Sequence, residues 1–330
     1  MGPDIKPMSL ESVRTYPLSR RPSKVFIKDL GVPWHPGRPM AEWLGTLPSA
    51  LAAGALKEVV GHLARSVISG KTVILAMGAH PIKVGLSPII LEWMEKGILS
   101  GVAMNGAGII HDAELAMAGH TSEDVDRDLE EGAFGAAEET GRFLNEAIKD
   151  GAKREWGLGR AVGAAISGAG FPYGGYSILG RAYALGIPVT VHVAIGADVI
   201  HFHPSADGAA IGKTSHMDFR LFASLVSGLE GGVHINMGSA VVLPEVFLKA
   251  LSLVRNLGYK VRELVTVNMD FNRQYRPLTN VVERPVRAGG KGYNLVGHHE
   301  IMFPLLAACL AEKLAGERLL SEKENENANL

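Results

Sequence analysis

The chain has one cysteine, Cys309. No intrachain disulfide can form, and a zinc site built on several thiolates is excluded. Aromatic residues make up only 6% of the sequence. No basic stripe is interleaved with them, so a base-stacking surface for nucleic acid is not expected. Neither charge sign dominates: the formal net charge is −1, too little to draw the chain to nucleic acid or an anionic membrane. No run reaches about 18 uninterrupted apolar residues, the length a spanning helix needs. The opening stretch, MGPDIKPMSLESVRTYPLSRRPSK, lacks the apolar core of a secretory signal. These absences lead to the expectation of a cytoplasmic protein with neither nucleic acid nor membrane as partner.

With 330 residues, 47% hydrophobic and 20% charged, the chain can bury a full core. Residues 1–45 contain Pro3, Pro7, Pro17, Pro22, Pro33, Pro36 and Pro39, which suit an extended arm better than a helix. Residues 46–316 read as one domain, and residues 317–330 as a polar, frayed tail. From Ser49 to Ile68 the spacing predicts a helix with Leu51, Leu56, Val59, Val60, Leu63 and Val67 on one face. Strands are expected at Thr72–Met77, Gly101–Met104, Pro188–Val193, Val233–Met237 and Val261–Val267, with a short extended run at Val199–Phe202. Helices are expected at Leu86–Lys96, Ala136–Ile148, Leu158–Ile166, Ser177–Leu185, Asp218–Val226, Pro244–Asn256 and Ile301–Leu314. This alternation predicts an α/β fold, a Rossmann-like parallel sheet flanked by helices.

Three strands run into turns of small residues: Gly78-Ala79-His80-Pro81, Asn105-Gly106-Ala107-Gly108 and Gly238-Ser239-Ala240. In open α/β sheets ligands bind beyond the carboxyl ends of the strands, and small residues let a backbone approach a phosphate or flat ring. If the three strands are neighbours, their turns line one crevice. None of the turns is the G-x-G-x-x-G fingerprint, and each also reads as an ordinary tight turn. Asp112 and Glu114 follow the second turn and would cap a helix or bond a hydroxyl or amine.

The densest polar cluster is His192, Asp198, His201 and His203. An extended backbone would put His201 and His203 on one face. With Asp198 and His192 they offer a metal-dependent hydrolase as one reading, although a third ligand at a definite spacing is lacking. The other reading is that each histidine makes ordinary hydrogen bonds. In the pair His298-His299, at most one side chain is expected to face a site.

Taken in order, these segments resemble the deoxyhypusine synthase family over roughly residues 48–315. Gly78–Leu86 stands at the family's cofactor loop, and Asn105–Gly108 with Asp112 is similar to its Thr-Ala-Gly-Gly and acidic residues. Gly196–His203 is similar to its Gly-Asp…Phe-Phe-His segment. Gly238-Ser239-Ala240 stands at its triple-glycine turn, and Phe303-Pro304-Leu305-Leu306 matches its Phe-Pro-Leu-Leu. The resemblance implies bound NAD, a homotetramer, and chemistry on an amine or polyamine such as spermidine: dehydrogenation or aminoalkyl transfer. It implies cofactor contacts at Gly78, Ala79, His80, Asn105, Gly106, Ala107, Gly108, Gly238, Ser239 and Ala240, and substrate contacts at Asp198 and Glu283.

The departures bear on the chemistry. The family's catalytic lysine ends a stretch that reads here Arg276–Pro285, with Pro285 at the lysine's place. Proline has no amine and forms no imine. Lys83 and Lys291 are the nearest candidates for a displaced nucleophile. An acidic residue of the family appears as His111. His201, His203 and His298 are the expected proton carriers, because imidazole titrates near neutral pH. A relative that binds a nucleotide or polyamine without turnover is the third reading.

Overall fold

The computed structural model describes residues 5–328, with side chains through residue 317. Six strands form one sheet: β1 (Val73–Met77), β2 (Gly101–Asn105), β3 (Val189–His192), β4 (Val233–Met237), β5 (Val265–Asp270) and β6 (Lys291–Val296). All neighbours are parallel, in the order β3-β2-β1-β4-β5-β6. The helices are α1 (Met40–Thr46), α2 (Leu51–Ile68), α3 (His80–Lys83), α4 (Ser87–Glu95), α5 (Gly106–Ala118), α6 (Val125–Glu130), α7 (Glu138–Lys153), α8 (Leu158–Gly168), α9 (Ile178–Leu185), α10 (Gly208–Ser227), α11 (Val242–Asn256), α12 (Tyr275–Pro277) and α13 (His299–Ala328). Among the described residues no helix is long and apolar enough to cross a membrane.

The sheet is covered on both faces, so its central strands are apolar throughout rather than alternating. Val73, Leu75 and Met77 pack with Leu63 of α2 and Phe303 and Leu310 of α13. Ile74 and Ala76 point the other way, to Phe222 of α10 and Phe247 and Leu251 of α11. Trp93 closes the first layer against Phe303, ring centroids 4.9 Å apart. Leu51, placed by its spacing on the inner face of α2, is instead exposed, with φ of 49° just at the helix start.

The second face also holds polar side chains. His234 of β4 is fully buried, its ring stacked at 3.8 Å on Phe247. Neither ring nitrogen has a hydrogen-bond partner among the described residues. Asn236, Asn268 and Asn294 stand side by side on β4, β5 and β6. Asn236 Nδ2 donates to Asn268 Oδ1, and Asn268 Nδ2 to Asn294 Oδ1, each at 2.8 Å. Asp218 of α10 accepts the backbone N–H groups of Gly159 and Val191, both at 2.8 Å, tying α8 and β3 to α10.

Several expectations need correction. Val199–His201 is a 3-10 turn rather than an extended run, so His201 and His203 do not share a strand face. The turn forms because the chain folds back at Asp198, the His201 N–H donating to the Asp198 carbonyl at 3.1 Å. The fifth strand lies at Val265–Asp270, later than expected, and α10 starts ten residues earlier than its apolar run. Strand β6 and a π-helical turn at Leu278–Glu283 have no apolar periodicity to announce them. Helix α13 runs on through Ala328, into the stretch whose composition reads as tail; the side chains from residue 318 lie outside the described set.

Candidate functional site

Strand order reverses between β1 and β4, the place where open α/β sheets form a ligand crevice. All three small-residue turns lie at this carboxyl edge, because β2, β1 and β4 are consecutive in the sheet. Gly78 and Gly238 are in backbone contact there. A β-carbon on Gly78 would lie 2.5 Å from the Gly238 carbonyl oxygen. Gly238 itself has φ of 67°, and a β-carbon on it would lie 2.8 Å from the His299 ring.

The two long helices that begin at this edge end up differently. On α5, Asn105 accepts the Gly108 N–H at 3.1 Å. The Asp198 carboxylate sits beside the first turn. A β-carbon on Gly106 would meet its Oδ2 at 1.9 Å, so only glycine lets Asp198 lie there. Burial raises Asp198 to about 6, while the Ala107 N–H pulls it down. On α11, Val241 supplies no side-chain cap, and the Leu243 N–H is met by Ser239 Oγ at 3.2 Å. Asn236 Nδ2 holds the Ser239 carbonyl at 3.0 Å. Both helix N-termini are thus met in part by the chain's own groups, and Pro244 in the first turn of α11 has no N–H to offer.

A cavity of about 200 Å³ opens beside Asp198, lined by Lys83, Ala107, His111, Glu114, Glu123 and Val199, among others. It is smaller than the roughly 300–1,000 Å³ of pockets for drug-sized ligands. A larger cavity of about 560 Å³ lies at the amino end of β3, between Arg160, Tyr183, Pro188 and Leu221. It holds none of the expected site residues, and the smaller cavity carries the denser set of ionisable groups.

His111 and Glu114 in that cavity are joined through Thr121. The Thr121 hydroxyl donates to Glu114 Oε2 at 2.5 Å, and His111 Nδ1 lies 2.7 Å from the same hydroxyl oxygen. The Thr140 hydroxyl donates to the other Glu114 oxygen at 3.1 Å. Since Thr121 spends its proton on Glu114, the network assigns the His111 proton to Nδ1. Burial pushes His111 below its ordinary value, Glu114 raises it, and Lys83 adds to the lowering.

At the β1–β4 crevice, His80 Nδ1 lies 2.9 Å from His299 Nδ1. His299 Nε2 donates to the Met269 carbonyl at 3.1 Å. His299 Nδ1 is therefore the acceptor, and His80 Nδ1 carries the proton. Burial lowers His299, and the Met269 carbonyl opposes this. His298 is exposed, lies parallel to Phe271 with ring centroids 6.0 Å apart, and has Glu300 at 3.8 Å. His298 was one of the three expected proton carriers; of the adjacent pair, His299 is the residue held against the crevice.

The other expected residues scatter. His201 Nδ1 accepts the N–H groups of Gly196 and Asp198 at 3.0 and 3.3 Å, and its Nε2 faces Asp198 Oδ2 at 3.7 Å. It shapes the Asp198 loop. His203 turns to α7, bonded to Ser205 Oγ at 2.7 Å and Glu138 at 3.2 Å. His192 is buried against Thr190 and the Phe222 edge, and burial lowers it to about 4. The histidines thus diverge, and among the described residues no three His, Cys, Asp or Glu side chains are grouped to hold a metal ion. Lys291 opens β6, at the opposite end of the sheet from the crevice, 3.9 Å from Glu58. Glu283 is exposed at the end of the π-helical turn that leads to that same opposite end. Pro285 is buried, and its carbonyl accepts Arg255 at 2.8 Å. Neither Lys291 nor Glu283 joins the cavity, because parallel strands place the start of β6 a full strand length from the carboxyl edge. Thr121 and Thr140 carry no signal in the sequence that marks them for this site. His111, as a departure from an acidic position, and Glu114, as a carboxylate expected to cap a helix or bond a hydroxyl or amine, are the members of this network that the sequence marks.

No family model and no curated protein matches the sequence. The fold is similar to that of a protein from Entamoeba histolytica described as a deoxyhypusine synthase, with a TM-score of 0.51 and 12% identity over 84% of this chain and 95% of that one. It is similar to AgrE, solved in a ternary complex with ornithine and NAD+, with a TM-score of 0.50 and 15% identity over 82% of this chain and 35% of AgrE. ArgZ, an arginine dihydrolase from the ornithine–ammonia cycle in cyanobacteria, aligns at a TM-score of 0.47 and 15% identity over 80% of this chain and 33% of its own. The chain spans about a third of the length of AgrE and ArgZ. At these identities the likeness is one of fold, and the fold is an α/β parallel sheet of the kind found in a deoxyhypusine synthase.

Proposed function

We propose that the chain is an NAD-binding enzyme acting on an amine or polyamine, by dehydrogenation or aminoalkyl transfer. The observation that carries this reading is the cavity at the carboxyl edge, where Asp198, Glu114 and Glu123 face one small space with Lys83 and His111. Three carboxylates against one lysine favour a cationic guest, and the volume suits a short aliphatic amine. Asp198 would hold the ammonium, since it lies between the α5 N-terminus and the cavity.

NAD fits the crevice beside it. Gly78, Ala79 and His80 on one side, and Gly238, Ser239 and Ala240 on the other, would hold it at the strand-order reversal. Its phosphates would lie against the small-residue turns Gly78-Ala79 and Gly238-Ser239, where a backbone can approach closely. Asn105, Gly106, Ala107 and Gly108 would then border the amine more than the dinucleotide. When bound, NAD supplies a hydride acceptor. The chain's own groups position the amine and move its protons. The fold likeness to AgrE, a protein that binds ornithine and NAD+, supports the same pairing. Hypusine-type transfer through position 285 is ruled out by Pro285; a transfer reaction would need Lys83, the lysine in the cavity wall.

The test is calorimetry of the full chain with 1,4-diaminobutane, with and without NAD. Asp198→Asn should weaken diamine binding about 10- to 150-fold, the equivalent of the roughly 1.5–3 kcal/mol of a hydrogen bond to a charged group. NAD should raise the melting temperature, with about 2.7 kcal/mol of stabilisation at a hundredfold excess over its dissociation constant. Undetectable diamine binding together with an unmoved melting curve in saturating NAD would end this reading.

A further inference from the structure

We infer that His111 is the proton acceptor of the cavity, held in one tautomer by Thr121 and Glu114 so that Nε2 receives a proton from the nitrogen of a bound amine. This rests on the amine reading of the same site.

Three observations converge on it. First, His111 lines the cavity together with Asp198. Ala107, whose N–H faces Asp198, and His111 are four residues apart on α5, hence on one helix face. A nitrogen held by Asp198 is therefore placed toward the His111 ring. Second, the Glu114–Thr121–His111 chain fixes the ring. Thr121 gives its proton to Glu114 at 2.5 Å and accepts from His111 Nδ1 at 2.7 Å. Thr140 holds the far oxygen of Glu114, so the carboxylate cannot swing away. A third group orienting a base is the general arrangement for activating a proton transfer. Third, among the described residues His111 Nε2 makes no hydrogen bond within the chain, while Nδ1 is fully engaged. The lone pair is thus presented on the side that the chain leaves open.

The charged groups facing His111 come from every wall. Glu114 lies on its own helix, with Oε2 4.0 Å from Nδ1. Lys83 comes from α3, Glu123 from the loop before α6, and Asp198 from the loop before the 3-10 turn. Burial lowers the imidazole, Glu114 opposes this and Lys83 adds to it, a net push toward the neutral form that an acceptor needs. The step is a proton transfer alone. One N–H bond of the substrate ammonium breaks, its electron pair stays on nitrogen, and the proton bonds to His111 Nε2. The imidazolium that forms is balanced by Glu114 through Thr121. The neutral amine then has the lone pair that hydride loss from its α-carbon requires. The positive charge of Lys83 in the same cavity favours the loss of that proton. His111 is the catalytic residue; Thr121 and Glu114 are positioning residues.

The experiment is long-range ¹H–¹⁵N spectroscopy of the ¹⁵N-labelled full chain, with His111 identified by His111→Gln. At pH 7 the free protein should show His111 neutral with its proton on Nδ1. Adding 1,4-diaminobutane should shift the Nε2 resonance. Thr121→Val should give a mixture of tautomers, and Thr121→Ser should restore the single form. A proton found on Nε2 in the free wild-type chain overturns the inference without recourse to any variant. So does diamine that moves the Ala107 amide yet leaves Nε2 in place; the amine site then stands and His111 is only a structural tie. Diamine that moves neither resonance removes the amine reading itself, and this role for His111 with it.

Discussion

Replacing His234 with phenylalanine should change how stability responds to acid. The imidazole is fully buried between aromatic rings, and burial lowers it from 6.5 to about 3. A histidine with a depressed folded-state value contributes its full stability above the unfolded value of about 6.5. That contribution is lost as pH falls toward the folded value, because the unfolded chain binds a proton the native one refuses. The slope is about 1.4 kcal/mol per pH unit. Between pH 8 and pH 5 the wild type should therefore lose about 2 kcal/mol through this residue. His234→Phe removes that loss while keeping a ring against Phe247. At pH 8 two effects oppose each other: two unpartnered ring nitrogens vanish, relieving about 1–3 kcal/mol each, and a larger ring costs about 1–3 kcal/mol. The pH difference is cleaner than either absolute value, because His192 and Asp218 titrate alike in both proteins. Urea unfolding at pH 8 and pH 5 gives four free energies. If the variant loses as much stability as the wild type between the two pH values, His234 is not a buried neutral base.

Gly106→Ala should displace the Asp198 carboxylate, since the new β-carbon would meet Oδ2 at 1.9 Å; a diamine affinity equal to wild type in calorimetry would contradict this. Asp218 is raised by burial to about 7, so its contribution is complete below about pH 4 and lost as pH rises through 7. Asp218→Asn should therefore gain stability over the wild type by roughly 4 kcal/mol between pH 4 and pH 9, a gap that denaturant curves resolve. A homo-oligomer is expected, with the proline-rich arm in the contacts, since Ile5, Met8, Leu10, Ile27 and other large apolar side chains of the arm are exposed in the single chain. Light scattering that gives about 35 kDa at micromolar concentration would count against it.

The sheet was legible because its strands are continuous apolar runs ended by small turns, a pattern that local sequence carries by itself. Strand β1 and helix α2 were read within two residues for that reason. Strand β6, KGYNLV, was not, because its half-exposed residues have neither a continuous run nor strict alternation. The site was only partly legible. That the three turns share an edge follows from their common strand–turn–helix context. The company of His111 does not, since Thr121 and Thr140 reach Glu114 through the fold and nothing in their own sequence marks them. Histidines 192, 201 and 203 looked like a cluster because they are close in sequence. A 3-10 turn and a loop reversal separate their rings, an effect that residue spacing cannot report.

The asparagine row across β4, β5 and β6 has a consequence for how the sheet finds its alignment. Burial patterns reject a strand shifted by one residue, because every side chain would change face. They do not reject a shift of two, which keeps inside and outside intact. In β6 such a shift would bring Gly292 or Val296 opposite Asn268, leaving a buried amide without its acceptor at a cost of about 1–3 kcal/mol. Three amides passing hydrogen bonds in one direction therefore act as a vernier. They set the reading of a strand whose own apolar pattern is too weak to set it, and with it the height at which His298 and His299 meet the carboxyl edge.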